Sequence, residues 1–403
     1  MTTKRIIWNS NFIILFLLSL FLFINNTIYT SIASTYIAGI HANSALGGMA
    51  NSANAIPALI CRMIAGKLLD TGKRKKIIYG GLIGFGISAL GYMHSPGVGA
   101  FFLFRAIDGA AFSVATTACQ TIATDVIPKD KLAVGLSYYS MSAALSQALS
   151  ATIAISAWKK YGFEALPATS FGILFLCMIL SRFFLRITSD DKQAERRPIL
   201  PEGEEAGCRG IWKVIEKKSL KSAALMFCIS IFSIIRMLYV PRFIIENNIG
   251  NAGIYFFVLS GSCILVKIGS DKLTASYPLR RLLQYSMICN GFSFLLTIYM
   301  KNPAAMIAAA ILGGIATGMD NPIVSASAVQ NTEKSRRGVA NGTFLCGNDI
   351  AMILGSTLWG GIINKITLSQ LFFVAAIGLF TVAAAYRTYT FYKRFSPEDE
   401  RIL

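Results

Sequence analysis

Charge is what this sequence has least of. Of its 403 residues 14% are Asp, Glu, Lys or Arg, against 54% hydrophobic and a mean hydropathy of +0.56. A soluble chain carries about 25% charged residues, so one large soluble core is excluded. Histidine is nearly absent, with His41 and His94 the only two. Eight cysteines (Cys61, Cys119, Cys177, Cys208, Cys228, Cys263, Cys289 and Cys346) form no CxxC pair and mostly fall inside apolar runs. That pattern supports neither a zinc site nor a disulfide framework, and reads as small buried hydrophobes. No nucleophile–base pair and no phosphate loop occurs. "GGLIGFG" at 80–86 lacks a following Lys-Ser/Thr and reads as close helix packing. These absences argue against an enzyme, and neither a metal nor a cofactor is expected.

What the sequence has instead is apolar runs near twenty residues long, the length that spans a bilayer. Twelve are read, at roughly 12–38, 46–66, 77–95, 98–119, 133–157, 165–187, 221–242, 251–270, 281–300, 303–328, 339–363 and 367–392. The first follows Lys4 and Arg5 but exceeds the 7–15-residue apolar region of a secretory signal, so it is read as a retained span. The expected fold is an all-α membrane protein of twelve transmembrane helices in two pseudo-symmetric six-helix bundles. Residues 1–187 form the first bundle, 188–220 a polar cytoplasmic linker, and 221–403 the second bundle with a short cytoplasmic tail. A short amphipathic helix is expected in the linker near Ile211–Lys217.

The basic residues fix an orientation. With the N-terminus inside, 29 Lys and Arg fall on the cytoplasmic side, and only Lys159, Lys160, Arg242, Lys301 and Lys365 on the other. The positive-inside rule then places both termini in the cytoplasm of a multi-pass protein of the cell membrane. The formal net charge of +18 faces an anionic leaflet, so a nucleic-acid partner is not needed to explain it.

The two halves repeat each other. "VIPKDKLAVGLSYYS" opens the fifth span and "NTEKSRRGVANGTFL" the eleventh; "GKLLD" ends the second and "GSDKL" the eighth. Duplication on this scale is the mark of a transporter with its substrate site between two bundles.

"RMIAGKLLDTGKRKK" puts a dense charge cluster at the end of the second span. Through Gly66, Leu68, Asp70, Gly72 and Arg74, with Arg62 upstream, it resembles the loop signature of the major facilitator superfamily, with one residue fewer between Asp70 and Gly72. The resemblance implies a cytoplasmic gating loop. Gly66 allows close helix approach, Gly72 a turn, and Asp70 neutralises helix ends or basic groups. "FRAIDGAAFS" is similar to the family's Arg-x-x-Gln-Gly element through Arg105 and Gly109, with Asp108 in place of glutamine. In the fifth span, "SAALSQALSA" sets Ser142, Ser146, Gln147, Ser150 and Ala151 where antiporters of this family have Gly-x-x-x-Gly-Pro-x-x-Gly-Gly; small residues persist but the proline does not. "GVANGTFLCGNDIAMILGS" resembles bacterial inner-membrane exporters of drug-like molecules and of opine metallophores.

Charges inside spans are costly and therefore functional candidates. Asp108, Arg105, Asp349 and Asp320 are candidates for proton coupling, with Asp349 deeper in its span than Asp320. Asp320 begins "DNP", so the alternative is that it satisfies backbone freed by Pro322. For the Arg105–Asp108 pair the alternative is a permanent ion pair that sets helix packing. Candidates for a substrate cavity are Asn25, Asn26, Tyr29, Phe112, Thr116, Gln147, Arg236, Tyr239, Asn341 and Asn348. The expected function is a secondary transporter that exports small organic molecules in exchange for protons by alternating access. Uptake by symport is the alternative, and a non-transporting receptor or scaffold a more remote one. Expected partners are the lipid bilayer and a small-molecule substrate, with no nucleic acid; a monomer is the family's default.

Overall fold

The computed structural model describes residues 7–41, 44–71, 74–93, 97–163, 165–189, 214–330, 332–363 and 365–393. Gly72, most of the linker, and the two ends of the chain lie outside them. Among the described residues there are thirteen α-helices and no strand. In chain order they are α1 Ser10–His41, α2 Ser44–Asp70, α3 Arg74–Met93, α4 Val98–Val126, α5 Leu132–Tyr161, α6 Ala165–Ser189 and α7 Leu220–Glu246. Then follow α8 Ala252–Ile268, α9 Ser270–Ser276, α10 Leu279–Ile298, α11 Pro303–Gln330, α12 Arg337–Ile362 and α13 Leu368–Lys393.

Each expected span has its helix, with α8 and the seven-residue α9 together taking the place of the eighth. Among the described residues eight helices are long and apolar enough to cross a membrane, nine if the α8–α9 pair, bent by 56° at Gly269, is one span. The others, α5, α10 and α12, are diluted by Ser, Thr, Asn and Gly. Their hydroxyls turn back on the helix itself: Ser142 Oγ donates to the Tyr139 carbonyl at 2.8 Å, and Ser150 Oγ to that of Ser146 at 2.6 Å. Polar side chains satisfied in this way need no water and can be carried through lipid.

Local chemistry sets the helix ends. Asn9, Asn251 and Asn302 each accept a backbone N–H of the following first turn through Oδ1, at 2.7 to 2.8 Å. Thr367 and Gln370 cap one another before α13. Pro57, Pro241 and Pro322 stand inside α2, α7 and α11, as membrane helices tolerate. In place of the amphipathic helix expected near Ile211–Lys217, the described part of the linker has a 3₁₀ turn at Lys217–Ser219. Residues 211–213 are outside the described region.

Burial runs opposite to that of a soluble protein. Leu265, Phe257 and Ile254 on α8 are exposed, whereas Ser286, Asn290, Ser293 and Thr297 on α10 are buried. Apolar side chains on the outside and hydrogen-bonded polar ones within suit a lipid solvent.

The helices group into two compact units. Unit 1 draws on Met1–Asp130, Leu145–Leu220 and Thr332–Asp349; unit 2 draws on Lys131–Ala144, Lys221–Asn331 and Ile350–Leu403. These units do not follow the two sequence halves: the first part of α12 packs with the earlier half, and the first part of α5 with the later one. Polar contacts accompany this grouping, and they form the candidate site.

Candidate functional site

In unit 1 the loop signature meets the start of α12. Asp70 Oδ1 accepts the Gly338 N–H at 2.7 Å and Oδ2 the Val339 N–H at 3.0 Å. A carboxylate on the free N–H groups of a helix N-terminus satisfies orphan donors and opposes the positive end of the dipole. Gly66 and Gly338 make the approach possible. A Cβ on Gly66 would stand 2.8 Å from the Gly338 carbonyl oxygen, and one on Gly338 2.7 Å from the Asp70 carboxylate. Alongside, Asp125 receives Arg74 at 2.5 Å and Arg337 at 3.0 Å, and Arg337 also donates to the Thr124 carbonyl at 2.6 Å. Asn341 Nδ2 donates to Thr124 Oγ1 at 3.2 Å. Glu216 adds the described end of the linker: its carboxylate takes Arg336 at 2.6 Å and its N–H donates to Thr343 Oγ1 at 3.0 Å.

Deeper in unit 1, Arg62 forks onto Asp349, with Nε–Oδ2 at 2.6 Å and Nη2–Oδ1 at 3.3 Å, while Nη1 reaches Thr117 Oγ1 at 3.2 Å. Arg105 and Asp108 form a second pair at 2.6 Å, both fully buried. Asn54 Nδ2 donates to Asp108 at 3.1 Å, and Arg105 Nη2 donates to Thr30 Oγ1 at 2.7 Å. Thr30 in turn donates to the Asn26 carbonyl at 2.9 Å. Tyr29 stacks on Tyr92 with ring centroids 4.4 Å apart, and Phe112 meets Phe23 edge-on at 5.3 Å. Asn25 is buried with neither end of its amide hydrogen-bonded. Thr116 Oγ1 donates to the Phe112 carbonyl at 2.7 Å.

Unit 2 holds its buried charges differently. Arg236 Nη2 donates to Asn290 Oδ1 at 2.5 Å and to Ser293 Oγ at 3.2 Å, and its guanidinium lies 4.8 Å from the centre of the Phe294 ring. Asp320 accepts from Ser286 Oγ, one α10 turn before Asn290, and pairs with no Arg or Lys among the described residues. Among the described residues its side chain is seen to bond Ser286 and not the backbone near Pro322. Lys267 is buried and donates to the Ser140 carbonyl at 2.9 Å. Tyr239 is half-buried near Gly360. Gln147 on α5 and Asn348 on α12 are exposed. Among the described residues no three His, Cys, Asp or Glu side chains converge closely enough to hold a metal ion.

The structure thus brings Arg62 to Asp349, Arg105 to Asp108, Asp70 to the start of α12 and Arg74 to Asp125. Sequence reading missed Asp125, Glu216, Arg337, Asn54, Ser286 and Asn290. Asp125 had a signal, as the acid at the end of α4 beside basic loops; the others are ordinary polar residues until their partners are known.

A bundle of membrane-crossing helices whose ionisable groups are buried against one another and away from lipid defines a polytopic membrane protein. The sequence model of the Major Facilitator Superfamily matches residues 15–289 and 248–401, and the chain belongs to that family of transporters. No curated protein sequence matches. Among solved structures, the human organic anion transporter MFSD10 (TETRAN) superposes with a TM-score of 0.75 at 13% identity, over 94% of this chain and 100% of that one. A bacterial homologue of the iron transporter ferroportin, in its outward-facing state, gives 0.73 at 12% identity over 95% and 100%. The proton:xylose symporter XylE gives 0.72 at 12% identity, over 96% of each chain. At these identities the likeness is one of fold.

Proposed function

We propose that this protein is a proton-coupled secondary transporter that exports small organic molecules from the cytoplasm across the cell membrane, with both termini cytoplasmic. The observation that carries the reading is the state of Asp320. It is buried yet held by a neutral hydroxyl, whereas Asp108 and Asp349 each sit in a direct ion pair with an arginine. A carboxylate clamped by a guanidinium has little reason to take up a proton; one held by a serine can exchange it without leaving a cation bare. Of the candidates named from sequence, Asp320 is therefore the proton carrier, and Arg105–Asp108 and Arg62–Asp349 hold the helices together. Arg236 on α7 and Cys289 on α10 lie within electrostatic range of Asp320. The Asp70 cap on α12 acts as the latch of the cytoplasmic gate, released when access switches. Substrate-contacting residues are drawn in unit 1 from Asn25, Asn26, Tyr29, Phe112, Thr116 and Asn341, and in unit 2, taken by itself, from Arg236 and Tyr239.

The test uses purified protein in liposomes with a trapped pH-sensitive dye. Cationic drugs, amino acids, sugars and opine-type chelators are added in turn. A compound that moves protons with wild type, and with Asp320→Asn does not, supports the reading. Equal proton movement with Asp320→Asn removes the assignment, and labelled uptake without any proton signal removes proton coupling. A second reading, uptake by symport, is favoured by α5, which runs unbroken from Leu132 to Tyr161 where exporters have a proline. Accumulation inside liposomes down a proton gradient would select it.

A further inference from the structure

Arg236 is the buried guanidinium without an acid. It lies on α7 with 4% of its surface exposed, and no carboxylate reaches it within ion-pair distance among the described residues. Its hydrogen bonds go through Nη2 to Asn290 and Ser293, while Nε and Nη1 complete none. The buried Tyr255 hydroxyl lies beside Arg236, Ser293 and Thr297. The surroundings are shaped around the cation. Phe294 presents its ring to the guanidinium, and Gly313 clears the other side, since a Cβ there would stand 2.9 Å from Cζ and 3.1 Å from Nη1. Asn290 is held in place from behind, its Nδ2 donating to Ser233 Oγ at 3.0 Å. Asp320, which is within electrostatic range of Arg236, is engaged by Ser286.

An uncompensated guanidinium in a medium without water is among the costliest side chains to bury. A protein that clears a glycine-sized space for it, orients it by an amide and a hydroxyl, and leaves donors unused has built a place for a counter-charge. We propose that Arg236, with Tyr255 and Ser293, receives one monoanionic group: a carboxylate of the transported molecule, or a small inorganic anion such as chloride. The inference rests on the transporter reading and narrows its substrate class to molecules that bear, or travel with, one negative charge. Arginine suits the task because it stays charged and offers five donors in a fixed plane.

The experiment is equilibrium thermal unfolding of the full chain in detergent. Sodium acetate and sodium chloride are titrated separately, with sodium Hepes at equal ionic strength as reference. An anion that binds only the folded protein raises the unfolding midpoint saturably. The expected result is such a rise in wild type with at least one of the two salts, and no rise in Arg236→Gln. Asn290→Asp supplies an internal carboxylate to the same guanidinium. It should raise the midpoint without added salt and abolish the response, and it carries the comparison if Arg236→Gln fails to fold. A response to acetate identifies the carboxylate; a response to chloride alone identifies an inorganic anion. No saturable rise in wild type, or the same rise in both variants, overturns the proposal. No proton gradient is involved, so failure here is distinct from failure of proton coupling.

Discussion

Units 1 and 2 bury charge by opposite means. In unit 1 the deeply buried arginines Arg62, Arg105 and Arg337 each meet an aspartate at 2.6 to 3.0 Å. In unit 2 the buried cations Arg236 and Lys267 meet an amide, hydroxyls, a ring and a backbone carbonyl, and the buried acid Asp320 meets a hydroxyl. Paired charges neutralise each other, and removing either partner strands the other in the interior. Charges on neutral dipoles are held in place but remain open to a proton or an anion. On the functions proposed above, unit 1 would hold and unit 2 respond, although both carry the same residue types.

The largest effects should come from splitting a unit 1 pair. Asp108→Asn is expected to cost about 3–5 kcal/mol of unfolding free energy by leaving Arg105 uncompensated, read by denaturant unfolding in detergent. Asp349→Asn should cost a similar amount through Arg62, and the exchange Arg62→Asp with Asp349→Arg should recover part of it, as coupling between residues in contact requires. Next is the latch. Asp70→Ala removes a cap worth about 1 kcal/mol and should speed hydrogen exchange at the Gly338 and Val339 amides ahead of the rest of α12. Asp320→Asn should cost about 1 kcal/mol or less, since asparagine can still accept from Ser286, while proton-coupled transport is lost. Smallest is Arg74→Gln. Its side chain is 30% exposed, so the Asp125 pair should contribute well under 1 kcal/mol. A large stability loss at Asp320 with a small one at Asp108 would invert the comparison.

The helices were legible because each apolar run is a local pattern, and even the polar α5, α10 and α12 stand between clear turn signals. That Arg62, Arg105, Asp108, Arg236, Asp320 and Asp349 place charge in the interior was legible too, since charge within a run is conspicuous. Their partners were not. Arg62 was grouped with the gating loop and Asp349 with proton coupling, yet they bond across 287 positions, a separation no local period encodes. Asp108 and Arg105 could be paired from sequence because they lie three apart on one helix face. The unpaired state of Arg236 had no sequence signal at all; it follows from Asn290, Ser293 and Gly313 converging from two other helices.

Infrared difference spectroscopy between alkaline and acid buffer, on wild type and on the three single variants Asp108→Asn, Asp349→Asn and Asp320→Asn, tests the contrast most directly. A protonated carboxyl in the membrane interior has its own C=O stretching band. The account predicts such a band that titrates in wild type, persists in Asp108→Asn and Asp349→Asn, and vanishes in Asp320→Asn. A band that survives in Asp320→Asn and disappears with either unit 1 aspartate would contradict it.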